Sequence, residues 1–356
     1  MTNENYVTNI RSPYELLGNI DWPQAERFEI PDLGPNDCVL VCAGFERRAT
    51  EMLERVCSHY KANFTLGLVS YLPEEEENRL AEFYKISGHA GLKVRELVYD
   101  REKPLDMVQE LGEYSNSFDR FYVDISGMSR LLIVQILVAL VCNRAESVAI
   151  VYCEAGDYPP SQEEFKNDLQ SGVSMPSPSY LSSGIFEVAA AAELSSIAML
   201  GSPTRLIAFP SFDPSQLANL VQELQPTYTD IVHGVPPRRM QEWRREAIRQ
   251  LNAGTLGELQ AMTNYDASTL DYRETLRILV NIYSERSMFD RIVIAPTGSK
   301  MQAVAVGIFR AVLEDVQIVY PTPKTFTDPQ RYTLGVRELH ELKLPMANLL
   351  ELTDLT

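Results

Sequence analysis

The chain of 356 residues predicts an α/β fold built as two tandem parallel sheets wrapped by helices. Three observations carry that prediction. A stretch beginning Phe118-Asp119-Arg120 runs through Phe121–Ile125 into the turn Ser126-Gly127-Met128-Ser129-Arg130; it returns as Phe289-Asp290-Arg291, Ile292–Ala295 and Pro296-Thr297-Gly298-Ser299-Lys300. Short runs rich in Val, Ile and Tyr alternate with longer helical patterns along most of the chain, the signature of βαβ units. Each repeated turn is followed by a long apolar stretch, Leu131 to Cys142 and Met301 to Phe309. Internal self-similarity at this length marks a duplicated unit. Right-handed crossovers then close each copy as a Rossmann-like, parallel-sheet sandwich.

The elements follow in order. Residues 1–34 read as an N-terminal arm in which Trp22-Pro23 marks a turn. The first domain, 35–170, starts with the apolar strand and helix of Val39 to Val56, and Arg205 to Val221 matches it in the second domain, 201–330. Next comes LGLVSYLPEEEENRLAEFYK, matched by TDIVHGVPPRRMQEWRREA: a strand, a Pro-marked turn and a charged amphipathic helix. After each repeated turn and apolar helix a further strand follows, Ser147 to Ala155 and Val316 to Lys324. Residues 171–200, rich in Ser, Pro and Gly at their start, read as a linker, and 331–356 as a C-terminal tail. Leu131 to Val141 is apolar all round, so it must be covered on both sides: by a second helix of its own domain, or across an interface between the repeats or between protomers.

Composition narrows the function. With 32 basic against 49 acidic residues the net charge is −17, which disfavours binding to nucleic-acid backbones. Five cysteines without CxxC spacing and four histidines without HxH or HExxH predict reduced packing thiols and no metal site. The opening MTNENYVTNIRSPYELL lacks a basic start and apolar core, and no apolar run is long enough for a membrane span. The expectation is a cytoplasmic protein without a membrane partner. Neither GxxxxGK[ST] nor GxGxxG occurs, so no ATPase or nicotinamide cofactor is predicted.

In open α/β sheets ligands bind beyond the carboxyl ends of the strands. Both repeated turns fall there. Gly127 and Gly298 let backbone approach a ligand, while Ser126, Ser129, Thr297 and Ser299 offer hydroxyls beside helix N–H groups. Arg130 and Lys300 place a cation in the first helical turn, where the helix dipole opposes it unless an anion is bound. The alternative is that the hydroxyls cap the helices and the cations point to solvent. Arg47 and Arg48, at the first strand-to-helix turn, would face the same crevice; the alternative is solvent exposure beside Glu51 and Glu54. The matching turn, Pro210-Ser211-Phe212-Asp213-Pro214, has no cation, so the two sites are not equivalent. Tyr152, Glu154 and Asp157, with Tyr320, Thr322 and Lys324, lie at the same sheet end and suit a nucleobase plus phosphate, or simply end their strands. Pro236-Pro237-Arg238-Arg239, with Arg244 and Arg245, reads as a surface helix start balanced by Glu242 and Glu246; the alternative is a basic patch that serves a partner or ligand.

The strand, [Ser/Thr]-Gly-x-x-[Lys/Arg] turn and apolar helix resemble the CRISPR-associated Rossmann-fold (CARF) sensor domains, whose turn is a Thr-Gly-Gly-Thr-Lys-like segment. Thr297-Gly298-Ser299-Lys300 is one residue shorter; Ser126-Gly127-Met128-Ser129-Arg130 keeps the length with Met and Arg replacing Gly and Lys. Two such units in one chain resemble the SAVED sensor domains of prokaryotic anti-phage systems. The resemblance implies binding of a nucleotide or cyclic oligonucleotide signal. The leading expectation is a sensor that binds it between the halves and acts through a separate effector protein, with a homo-oligomer compatible with that reading. The rival expectation is an enzyme acting on a nucleotide or phosphorylated metabolite, with Asp124 or Glu154 as base. A third is a scaffold whose apolar helices serve assembly. No Ser-His-Asp order or paired-carboxylate geometry can be read from the sequence, and Cys153 has no adjacent histidine to activate it.

Overall fold

The computed structural model describes residues 12–59, 63–72, 78–100, 103–170, 182–190, 194–326 and 333–355. It opens with helix α1 (Pro13–Asn19) and a two-residue strand β1 (Glu26–Arg27). The first half runs β2 (Asp37–Ala43), α2 (Glu51–His59), β3 (Thr65–Leu72), α3 (Leu80–Ala90), β4 (Lys93–Asp100), α4 (Pro104–Ser115), β5 (Arg120–Asp124), α5 (Arg130–Cys142), β6 (Ser147–Glu154) and α6 (Gln162–Gln170). Strand β7 (Ser182–Ala190) leads to the second half. That half runs β8 (Thr204–Ala208), α7 (Pro214–Leu224), β9 (Tyr228–Val235), α8 (Trp243–Leu251), α9 (Ala253–Glu258), β10 (Met262–Ser268), α10 (Tyr272–Arg286), β11 (Arg291–Ala295), α11 (Lys300–Val312) and β12 (Gln317–Phe326). Strand β13 (Glu338–Lys343) and helix α12 (Met346–Thr353) follow. No described helix is long and apolar enough to cross a membrane.

The duplication is plain in the strand order. One sheet reads β4-β3-β2-β5-β6 and the other β10-β9-β8-β11-β12, every pair parallel. Central strands of such a sheet are covered on both faces and need continuous apolar runs. DCVLVCA of β2, buried at every residue, meets that need.

The outer strands depart from the expected boundaries. β7, inside the segment read as a linker (171–200), pairs antiparallel with β12 of the second half. β13, inside the C-terminal tail, pairs antiparallel with β6 of the first, and β1 of the N-terminal arm pairs with β13. The strand following the first half thus completes the second sheet, and the strand following the second half completes the first. Residues 171–181 and 191–193 of the linker lie outside the described residues. The Ser-Pro-Gly composition of its first part hides the strand Ser182–Ala190 that follows.

The two apolar helices meet each other. α5 and α11 pack together between the sheets, and the largest core joins them to residues of both, among them Leu40, Val123, Ile207 and Ile294. The outer faces close smaller, separate cores beneath α2 and α3 on one side and α7 on the other. Burial across the repeats therefore answers the all-round apolar character of α5. Contact is closest at Gly307, where an added Cβ would stand 2.7 Å from Cδ1 and 3.0 Å from Cβ of Leu137.

Replacing a mid-helix glycine usually stabilises a helix by about 1 kcal/mol. Here the added side chain must enter the α5–α11 seam, so Gly307→Leu is expected to destabilise the protein by about 1–3 kcal/mol in urea unfolding. A neutral or stabilising result would mean that the seam is looser than described.

Candidate functional site

Both halves aim the carboxyl ends of their strands at one cavity of about 370 Å³. In each sheet the central pair, β2 beside β5 and β8 beside β11, is the point where the crossovers diverge to opposite faces, leaving a crevice. Gly44 and Phe45 follow β2, Gly127 to Leu131 follow β5, and Tyr152 and Glu154 end β6. Pro210 to Asp213, Gly234, Thr297 to Lys300, Tyr320 and Thr322 supply the second half's share. The Lys324 side chain lies outside the described residues.

The repeated turns are brought together, but their cations do different work from that expected. Lys300 Nζ crosses to the other half and donates to Ser126 O and Met128 O, both at 2.7 Å, and pairs with Glu46 Oε1 at 3.1 Å. Three donors meet three acceptors. Arg130 crosses in the opposite sense, its Nε donating to Gly298 O. Carbonyls of the facing turn thus offset the penalty of a cation at a helix N-terminus. The head groups reach away from their own helices.

The hydroxyls are mostly caps. Ser129 Oγ accepts from Leu132 N, and Ser299 forms a capping box with Gln302. Thr297 Oγ1 donates to Phe209 O at 2.7 Å. Ser126, expected at the ligand, does not line the cavity: its buried Oγ accepts from Cys153 N at 2.8 Å, tying the turn to β6. The glycines admit protein atoms. A Cβ on Gly127 would lie 2.3 Å from Cys42 O, and one on Gly298 2.3 Å from Gln302 Oε1. Arg47 is exposed and borders a separate surface groove with Glu51 and Glu54, so it does not share the crevice expected for it. Its neighbour Arg48 does line the cavity.

At the cavity wall Glu46 sits between two cations. Its Oε2 accepts from Arg48 Nε at 2.7 Å and from Thr333 Oγ1 at 3.1 Å, while Lys300 approaches Oε1. Burial alone would raise this carboxyl, but Arg48 and Lys300 outweigh it and lower it to about 2. Burial and the repulsion of Arg48 lower Lys300 to about 8 despite Glu46. Arg48 also donates to Cys153 O at 2.6 Å and lies over the rings of Tyr152 and Tyr158, 5.2 and 5.8 Å from their centroids.

The second half clasps the first around the rim. Arg238 pairs with Glu154 at 2.9 Å, and Arg244 donates to the carbonyls of Tyr158, Pro159 and Pro160 while covering Phe212 at 4.4 Å. These arginines, read as a surface patch, are drawn inward by the Glu154 carboxylate, which pairs with Arg238, and by the carbonyls of the 155–160 loop, which accept from both. Burial lowers Arg244 to about 10. Glu154 would be raised by burial, but the nearby His340 ring, with Arg238 and Arg337, holds it below the usual carboxylate range. Asp124 is buried away from the cavity; burial raises it to about 6, against the Ser126 N–H that its Oδ1 accepts.

No family model matches the chain, and no curated protein matches it. The solved structure of AtPrR2 in apo form is similar over 76% of this chain and 99% of that chain, at 14% identity and a TM-score of 0.24. So slight a likeness carries no argument about this cavity.

Sequence reasoning missed Glu46 and Gln302, and with them Tyr71 and Tyr99, which also line the cavity. Glu46 was legible as the acid before Arg47-Arg48; nothing in the pattern marked the rest.

Glu46→Gln leaves Arg48 and Lys300 facing each other in a buried place and is expected to cost about 3–5 kcal/mol. The carboxyl's folded pKa of about 2 lies below its ordinary 4.5. Its stabilisation is therefore complete above pH 4.5 and is lost as pH falls from there toward 2. In urea unfolding, the gap between wild type and Glu46→Gln should narrow from pH 6 to pH 3. A constant gap would mean that the carboxylate is not the stabilising partner.

Proposed function

We propose that this protein is a ligand sensor that binds a nucleotide or cyclic oligonucleotide in the cavity between its halves and signals through a separate effector. One observation carries the reading: both switch points open into a single cavity lined by aromatic rings and by the cations Arg48, Arg130, Arg244 and Lys300. Aromatic faces suit a base and guanidinium groups suit a phosphate. The cavity's volume falls in the range of small-molecule sites. Arg244 donates to carbonyls and covers an aromatic ring, and no ion pair to it is formed among the described residues, which supports a role for its charge toward an anionic guest. The resemblance of the two turns to CARF and SAVED sensors supports the same ligand class and a setting in anti-phage defence. Because each half holds the other's cations, a ligand that engages Arg130 or Lys300 acts on both halves at once, as a signal must.

The enzyme alternative is less well supported by the site. Asp124 does not reach the cavity, and Glu154 is held ionised by three basic groups, which makes it a weak base.

A ligand present at a hundred times its Kd stabilises the fold by about 2.7 kcal/mol. Cyclic dinucleotides, cyclic oligonucleotides or mononucleotides are expected to raise the melting temperature without being consumed. Arg130→Ala should remove most of that rise. Failure of all these compounds to shift melting would end the sensor reading, and steady product formation would replace it with the enzyme.

A further inference from the structure

Gln302 is 2% exposed and borders the cavity. Its Oε1 accepts from Ser299 N at 2.8 Å, which fixes which end of the amide is the donor. The other end, Nε2, is buried and has no hydrogen-bond partner among the described residues. A buried donor left unmade is costly, and a native fold retains one where something else completes it. The amide folds back over Gly298, and a Cβ built on Gly234 would lie 4.0 Å from Oε1. Pro236, Thr269 and Leu270, all uncharged, border the same cavity. The cation two residues earlier offers nothing here, because Lys300 is turned to the carbonyls of Ser126 and Met128. The first half has no such donor: Leu132 stands where Gln302 does in the repeat.

Resting on the sensor reading above, we infer that Gln302 is a specificity-determining residue that reads a heterocyclic base, donating Nε2–H to a ring carbonyl or ring nitrogen. A neutral donor among uncharged neighbours suits a neutral acceptor, and base edges present such acceptors. The phosphate then lies toward Arg48, Arg130 and Lys300. The ligand is bound with a direction, base in the second half and charge toward the first.

The test is calorimetric titration with the four 5′-mononucleotides, cyclic di-AMP and ribose 5-phosphate. Gln302→Glu keeps the Ser-x-x-Glu capping box but turns the donor into an acceptor. Gln302→Met removes the donor without adding charge. The base-bearing probes that bind wild type should do so about tenfold more tightly than ribose 5-phosphate, and both substitutions should erase that margin while leaving ribose 5-phosphate affinity unchanged. Base-bearing probes that bind both variants as they bind wild type would overturn the role of Gln302 and leave the sensor reading standing. Ribose 5-phosphate binding as tightly as the nucleotides would do the same. No binding of any probe to wild type would overturn both.

Discussion

Two largely apolar helices, buried on nearly every side, organise the molecule. α5 and α11 each follow the fourth strand of their unit, so each lies on the inner surface of its own sheet. What covers the opposite surface is the other helix. The sheets therefore stand on either side of a shared helical layer, with one core running through both. Once that layer is formed, the N-termini of α5 and α11 lie at the same end of the molecule, and the turns that precede them meet. The cavity is a consequence of the seam.

The outer strands lock that arrangement. β7 leaves the first half to complete the second sheet, and β13 leaves the second half to complete the first. Neither sheet is whole without a segment from beyond its own repeat. The halves are thus tied by strand pairing as well as by a shared core, and the contacts around the cavity rim are polar.

Those polar contacts share one logic. A buried cation needs acceptors, and the nearest belong to the facing half: Gly298 O for Arg130, Ser126 O and Met128 O for Lys300, the 155–160 carbonyls for Arg244. Neutral carbonyls satisfy the hydrogen bonds without cancelling the charge. Glu46 cancels part of it, and burial together with the neighbouring Arg48 loosens the proton of Lys300. The residual positive character beside the aromatic rings is what makes the cavity suited to an anionic, base-bearing guest.

Much of this was legible in the residues. The repeat from Phe118 and Phe289 foretold two copies of one unit, the continuous apolar runs foretold parallel central strands, and the doubled Gly turns marked the ends of β5 and β11 where the cavity lies. These are local patterns, set by periodicity and by which side chains tolerate a turn. The destinations of the cations were not legible, because the carbonyls that accept from Arg130 and Lys300 lie 168 to 174 residues away in the chain and carry no side-chain signal: they are backbone oxygens. Strand exchange escaped for a similar reason. An edge strand is chosen by which sheet edge is left open in space, and neither Ser182–Ala190 nor Glu338–Lys343 states that in its own composition. Pattern along the chain settles what each segment becomes, whereas pairing between distant segments depends on surfaces that exist only once the two helices have met.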